Sequence, residues 1–135
     1  MKKTLRLIAL ALVLVMSVAM LASCATPNKD PDDAVAALKD NGYTAGKDNV
    51  AIPTALRILG VDGVKTVITG SAVIDDKFET VTVIYFDSKD DANDAWEKVQ
   101  EYANDKKDDK AEDWVCKKSG AMIYSGTPAA VKAAK

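Results

Sequence analysis

The 135-residue chain contains no histidine. Its absence excludes Ser-His-Asp and Cys-His catalysis and removes the imidazole ligands common in zinc sites. Cysteine is nearly as scarce, with only Cys24 and Cys116. Aromatic residues make up 6% of the chain, and Arg57 is the only arginine beyond Arg6. Few side chains are therefore suited to stacking on a ligand or gripping an anion; Trp114, Tyr124 and Arg57 are the candidates. No Ser-x-x-Lys nucleophile motif occurs, and "GVDGVKT" has the wrong glycine spacing for either nucleotide-binding fingerprint.

Carboxylates are plentiful but poorly arranged for metal. A calcium loop of the EF-hand type needs oxygen ligands at alternate positions and a central glycine. Asp87-Ser88-Lys89-Asp90-Asp91 places lysine at the third position and offers no such glycine. In "NDKKDDKAED", Asp105, Asp108 and Glu112 are interleaved with Lys106, Lys107 and Lys110, the pattern of a solvated charged helix end. Neither a metal site nor a cofactor is expected.

What the chain does contain is a distinctive beginning. Met1–Arg6 carries Lys2, Lys3 and Arg6 and no acidic residue, and Leu7–Met20 is apolar except for Ser17. A charged start, a short apolar run and small residues before a cut site mark a secretory signal. The run is too short to cross a bilayer comfortably, which takes about 20 apolar residues. It ends in Leu21-Ala22-Ser23-Cys24, which resembles the lipobox of bacterial lipoproteins. The resemblance implies cleavage between Ser23 and Cys24 and a diacylglyceryl group on the Cys24 sulfur. It also implies localisation on the extracytoplasmic face of the cell membrane. Ala25, where an Asp would resemble an inner-membrane retention signal, implies outer-membrane delivery in a two-membrane organism. Two acyl chains meet the requirement for stable anchoring.

Three domains of organisation follow: signal peptide 1–23, lipidated Cys24 with a short tether over 24–29, and a single domain over 30–135. Removing 1–23 leaves 15 basic residues against all 20 acidic ones, a net charge of −5. That balance argues against nucleic acid, whose binding depends on basic patches. With Cys24 lipidated, Cys116 has no cysteine partner and reads as a small buried residue rather than a nucleophile.

The domain reads as α+β. Asp30-Pro31 opens a helix that Asn41-Gly42 stops; 43–45 is a short strand, and a helix runs from Pro53 to Leu59. Strands at 64–74 and 78–87 flank a turn at Asp75-Asp76-Lys77. Val81, Val83 and Tyr85 are expected in the core and the threonine side more open; Gly70 suggests a bulge. A helix capped by Ser88 and Asp91 carries Ala92, Ala95, Trp96 and Val99 on one face. A second hairpin around Ser119-Gly120 and a helix capped by Thr127 complete the chain. The expectation is an antiparallel sheet of about four strands with helices on one face, and its order matches a ferredoxin-like βαββαβ path.

The function expected is non-catalytic: a lipoprotein domain binding or supporting a protein partner at the cell envelope. The alternatives are a small ligand held on the threonine-rich face or against Trp114 and Tyr124, and a hydrolase using carboxylates or Cys116.

Overall fold

The computed structural model describes residues 25–105 and 113–135. The expected leader, with Ser23 and Cys24, lies outside the described residues, as does the charged stretch 106–112. The described chain forms helix α1 (Pro31–Asp40), strand β1 (Thr44–Lys47), helix α2 (Ala51–Ile58), strands β2 (Val64–Ile74) and β3 (Lys77–Phe86), helix α3 (Lys89–Asp105), strands β4 (Val115–Ser119) and β5 (Met122–Gly126), and helix α4 (Pro128–Ala133). Among the described residues no helix is long and apolar enough to cross a membrane.

Local chemistry explains most of these boundaries. The Asp30 carboxylate accepts from the Asp32 and Asp33 N–H groups, and Pro31 takes the first helical position of α1. The helix ends in a Schellman turn: the Gly42 N–H donates to Lys39 and the Tyr43 N–H to Leu38, with Gly42 at a φ of 86°. α2 ends in the same way, Gly60 donating to Arg57 and Val61 to Leu56. Each turn delivers an apolar pair to a core, Leu38 with Tyr43 and Leu56 with Val61. α2 begins two residues before Pro53 because Asp48 caps it. That carboxylate accepts from the N–H groups of Val50 (3.0 Å), Ala51 (2.9 Å) and Ile52 (3.0 Å). Burial would raise its pKa, but the three N–H groups outweigh that and hold the carboxyl below its usual range.

Thr127 departs from its expected role. It occupies the N-cap position of α4 but makes no capping bond. Its hydroxyl instead accepts from the Thr80 N–H at 3.2 Å and leans on the Thr80 carbonyl at 3.4 Å, lacing the start of α4 to β3. Ser88 behaves as expected, accepting from the Asp91 N–H at 3.1 Å.

The sheet has five strands in the order β1-β2-β3-β5-β4, every neighbouring pair antiparallel. The count exceeds four because the 43–45 segment joins as an edge strand. The ferredoxin-like path is not followed: a split βαβ unit would place another strand between the first two, whereas β1 pairs directly with β2. α2, about 12 Å long, is much shorter than β2. It acts as an enlarged hairpin loop, and β2 returns antiparallel beside β1.

Helices cover both faces of the sheet rather than one. α1 and α4 enclose a core with Ile68, Val81, Val83 and Tyr124. α2 and α3 enclose a second core with Val67, Ile84, Phe86 and Ile123. The reason lies in β3, where Val83, Ile84, Tyr85 and Phe86 are all buried. Four consecutive apolar residues in a strand require cover above and below. Gly70 is not a bulge. It sits in regular register between Ala45 and Val81, and a Cβ there would lie 2.9 Å from the Leu38 side chain. Its missing side chain lets α1 approach the sheet. The irregularity falls instead at Lys65. Val64 faces Phe86 and Thr66 faces Tyr85, leaving Lys65 without a cross-strand partner.

Candidate functional site

The expectation that the threonine side of β3 is open holds in modified form. Thr80, Thr82 and Ile84 face α3, with Ser125 directly across from Thr82 on β5. Ile84 is sealed under the helix, while Thr80, Thr82 and Ser125 remain half-buried. Between them and the second half of α3 lies a cavity of about 300 Å³, walled by Ile52, Val99 and Trp114. The Thr80 hydroxyl donates to the Gly70 carbonyl at 3.2 Å. The Thr82 and Ser125 hydroxyls bond no other described residue. A concave, mostly apolar space with a few hydroxyls on one wall suits a small, weakly polar molecule.

Trp114 and Tyr124 do not meet. The Trp114 ring walls this cavity. Tyr124 is buried in the opposite core beneath α1 and α4. The strand register separates them: Tyr124 stands across from Lys117, so it shares a face with β4's odd-numbered residues. Any hairpin with a two-residue turn between β4 and β5 puts positions 114 and 124 on opposite faces. Simple alternation along the sequence therefore already held that separation. The indole Nε1 of Trp114 is buried without a hydrogen-bond partner among the described residues; a buried donor left unpaired costs about 1–3 kcal/mol.

Arg57 lies elsewhere again. Exposed near the end of α2, it borders a polar cavity of about 320 Å³ with Lys65, Asp48 and Asp62. The two carboxylates offset the two cations. Cys116 is half-buried across from Ser125, and burial pushes its thiol pKa up. The thiolate that nucleophilic or redox chemistry requires is thus disfavoured. Trp96 packs against the second core from its margin, with the Lys118 ammonium 6.0 Å from its ring centre. Among the described residues no group of three or more Asp, Glu or Cys side chains is placed to hold a metal ion.

One feature gave no sequence signal beyond its strands. β1 pairs with β2 only as far as Ser71, and β5 pairs with β3 only as far as Val81. The hairpin 72–79 therefore projects past both neighbours. Its turn, Asp75-Asp76, has two positive φ values, 51° and 63°, the geometry of a primed two-residue turn. Behind it Val73 and Phe78 stand opposite each other, 72% and 63% exposed. The β-branched and aromatic residues that identify a strand do not reveal where its neighbours stop.

At the hairpin's opposite end, the first described segment is tied down. The Asn28 N–H donates to Ala134 at 2.8 Å, and the Tyr85 hydroxyl donates to the Asn28 carbonyl at 2.7 Å. Burial, and then the Asp30 carboxylate, raise the Tyr85 pKa well above its usual value, so it remains a neutral donor. Pro27 is buried as well. The expected tether is thus partly packed against the fold.

Comparison with protein-family models, curated proteins and solved structures finds no match to this chain.

Proposed function

We propose that the chain is a lipoprotein of the bacterial cell envelope, anchored through a diacylglyceryl group on Cys24 on the extracytoplasmic side of the membrane, and that it binds a protein partner without catalysing a reaction. The leader and Leu21-Ala22-Ser23-Cys24 support the anchoring. Asn28, four residues on, is held at Tyr85, so the Cα of Cys24 lies within about 14 Å of that of Asn28. Phe78 is seven residues along β3 from Tyr85, about 23 Å away. The apolar tip therefore lies at the far end of β3 from the point where the tether joins the fold.

The observation that carries the partner reading is that exposed Val73–Phe78 pair on a ribbon with both edges unpaired. An isolated two-stranded hairpin is marginal in water and gains from a cover over its apolar side. Asp75, Asp76 and Glu79 flank the pair against a single Lys77. The matching surface is an apolar slot with a basic rim on another protein; an anionic lipid surface would be repelled. A photo-crosslinking residue at position 78 in living cells is expected to trap one defined envelope protein, with none trapped from exposed Ala36 on α1. The same products from both positions, or none from 78, would count against the reading. The anchor is tested separately by the intact mass of the purified protein, which should match cleavage before Cys24 plus the lipid.

The cavity beside Trp114 favours a second reading, a small weakly polar ligand held against Thr82 and Ser125. A ligand bound there raises the melting temperature by mass action, and Thr82→Val should weaken that rise without disturbing crosslinking at 78.

A further inference from the structure

A third cavity, of about 290 Å³, opens at the end of the sheet where the chain enters the fold. Lys29 and the bulged Lys65 border it, Phe86 and Met122 form its apolar floor, and Ser119 stands at its rim. Among the described residues no acidic side chain lines it. That is unexpected in a chain whose acidic residues outnumber its basic ones, 20 to 18. Neither Lys29 nor Lys65 has an ion-pair partner among the described residues; the pair formed there is Lys47 with Asp32. The bulge takes Lys65 out of the strand's alternation, and the residue lines both this space and the polar cavity beside Arg57. Asp30, the cap of α1, does not line the cavity; its carboxylate accepts from the Asp32 and Asp33 N–H groups and acts on Tyr85 at the cavity wall.

Two ammonium groups over an apolar floor, neither in a direct ion pair among the described residues, match an amphiphile with one anionic phosphate and an adjoining hydrocarbon part. Lys29 is five residues from Cys24, so the cavity lies within about 17 Å of the anchoring sulfur along the chain. We propose that Lys29 and Lys65 grip the phosphate of a membrane phospholipid headgroup, with the adjoining glycerol and acyl carbons resting on Phe86 and Met122. This inference rests on the lipoprotein reading for its source of ligand but not for its chemistry. A headgroup held there would fix the orientation of the domain on the bilayer as well as its attachment.

The test uses the full-length protein purified in a non-ionic detergent, with its intact mass recorded first. Dihexanoyl phosphatidylglycerol is expected to raise the melting temperature by several degrees, and neutral dihexanoylglycerol to leave it unchanged. Lys29→Gln and Lys65→Gln should each reduce the rise, and together abolish it; Lys65→Arg should retain most of it. Lys132→Gln, a surface charge on α4, should have no effect. An equal rise with inorganic phosphate would make the source a soluble phosphate and overturn the lipid assignment. No rise with either, or equal loss in Lys132→Gln, would overturn the site itself. A mass showing unlipidated Cys24 with the rise intact would sink the anchoring reading and leave this site standing.

Discussion

On the α1/α4 side of the sheet, Ile68, Val81, Val83 and Tyr124 are all at most 4% exposed. On the α2/α3 side, Thr80, Thr82 and Ser125 stay half-open around a cavity. The same strands supply both faces, so the contrast comes from side-chain chemistry and from the helices laid over them. Leu38 presses on a glycine on the sealed side, whereas the open side meets the alanine-rich stripe of α3. Small residues fill less of the space between layers, and hydroxyls gain less from dehydration than methyl groups do. A sealed face suits stability and an incompletely filled one suits binding.

The largest effect that would sharpen this contrast comes from Leu38→Ala. Leu38 is fully buried, and its truncation should cost about 2–5 kcal/mol in denaturant unfolding. A loss below 1 kcal/mol would show that the α1 face is looser than described. Gly70→Ala should cost about 1–3 kcal/mol through overpacking against Leu38. In the Leu38→Ala background the same change should cost clearly less, because the obstructing atoms are gone. Additive losses would separate the two residues energetically.

Asp48→Asn keeps one capping oxygen but gives up the charge and the acceptor of the Ile52 N–H, and should cost up to about 1 kcal/mol near neutral pH. The pH dependence has a definite sign. Asp48's folded pKa lies below its usual value near 3.8, so its contribution is complete above that value. It disappears as pH falls through the lower folded-state value. Wild type and Asp48→Asn should therefore converge in stability at the acid end, as urea melts across pH 2 to 6 would show. Thr82→Val, on the open face, should change stability by less than about 0.5 kcal/mol. A destabilisation as large as that from Leu38→Ala would mean the two faces are equally tightly packed. Smallest of all, Cys116 should alkylate more slowly than an unstructured thiol at pH 8, because burial disfavours its thiolate, and the difference should vanish in denaturant.

Much of the local structure was legible in the residues. Asp30-Pro31, Asn41-Gly42 and Ser88 with Asp91 bounded their helices as capping chemistry requires; the first hairpin turned at Asp75-Asp76, and the second turned one residue later than expected, at Gly120-Ala121, with Ser119 in β4. The α+β class followed. The errors were non-local. A single apolar stripe on each helix suggests cover on one face, whereas the continuous buried run Val83–Phe86 requires cover on two. A glycine within a strand suggests a bulge, but the role of Gly70 depends on Leu38, 32 residues earlier. Of the ligand-binding candidates, Trp114 proved to wall a cavity, Tyr124 to sit in the opposite core and Arg57 to border a charge-balanced hollow. The two lysines around the third cavity carried no motif at all.

The sequence by itself determined the helix ends, the turns, the alternation of β3's first half, the lack of histidine chemistry and the signal-like leader. These depend on groups within a few residues of one another, whose geometry the backbone enforces wherever the chain goes. Only the tertiary structure decided which face each helix covers, where β1 and β5 stop short of the hairpin tip, and which side chains share a cavity. Those depend on distant segments competing for the same surface, and an apolar residue in a strand carries no mark of which helix will cover it.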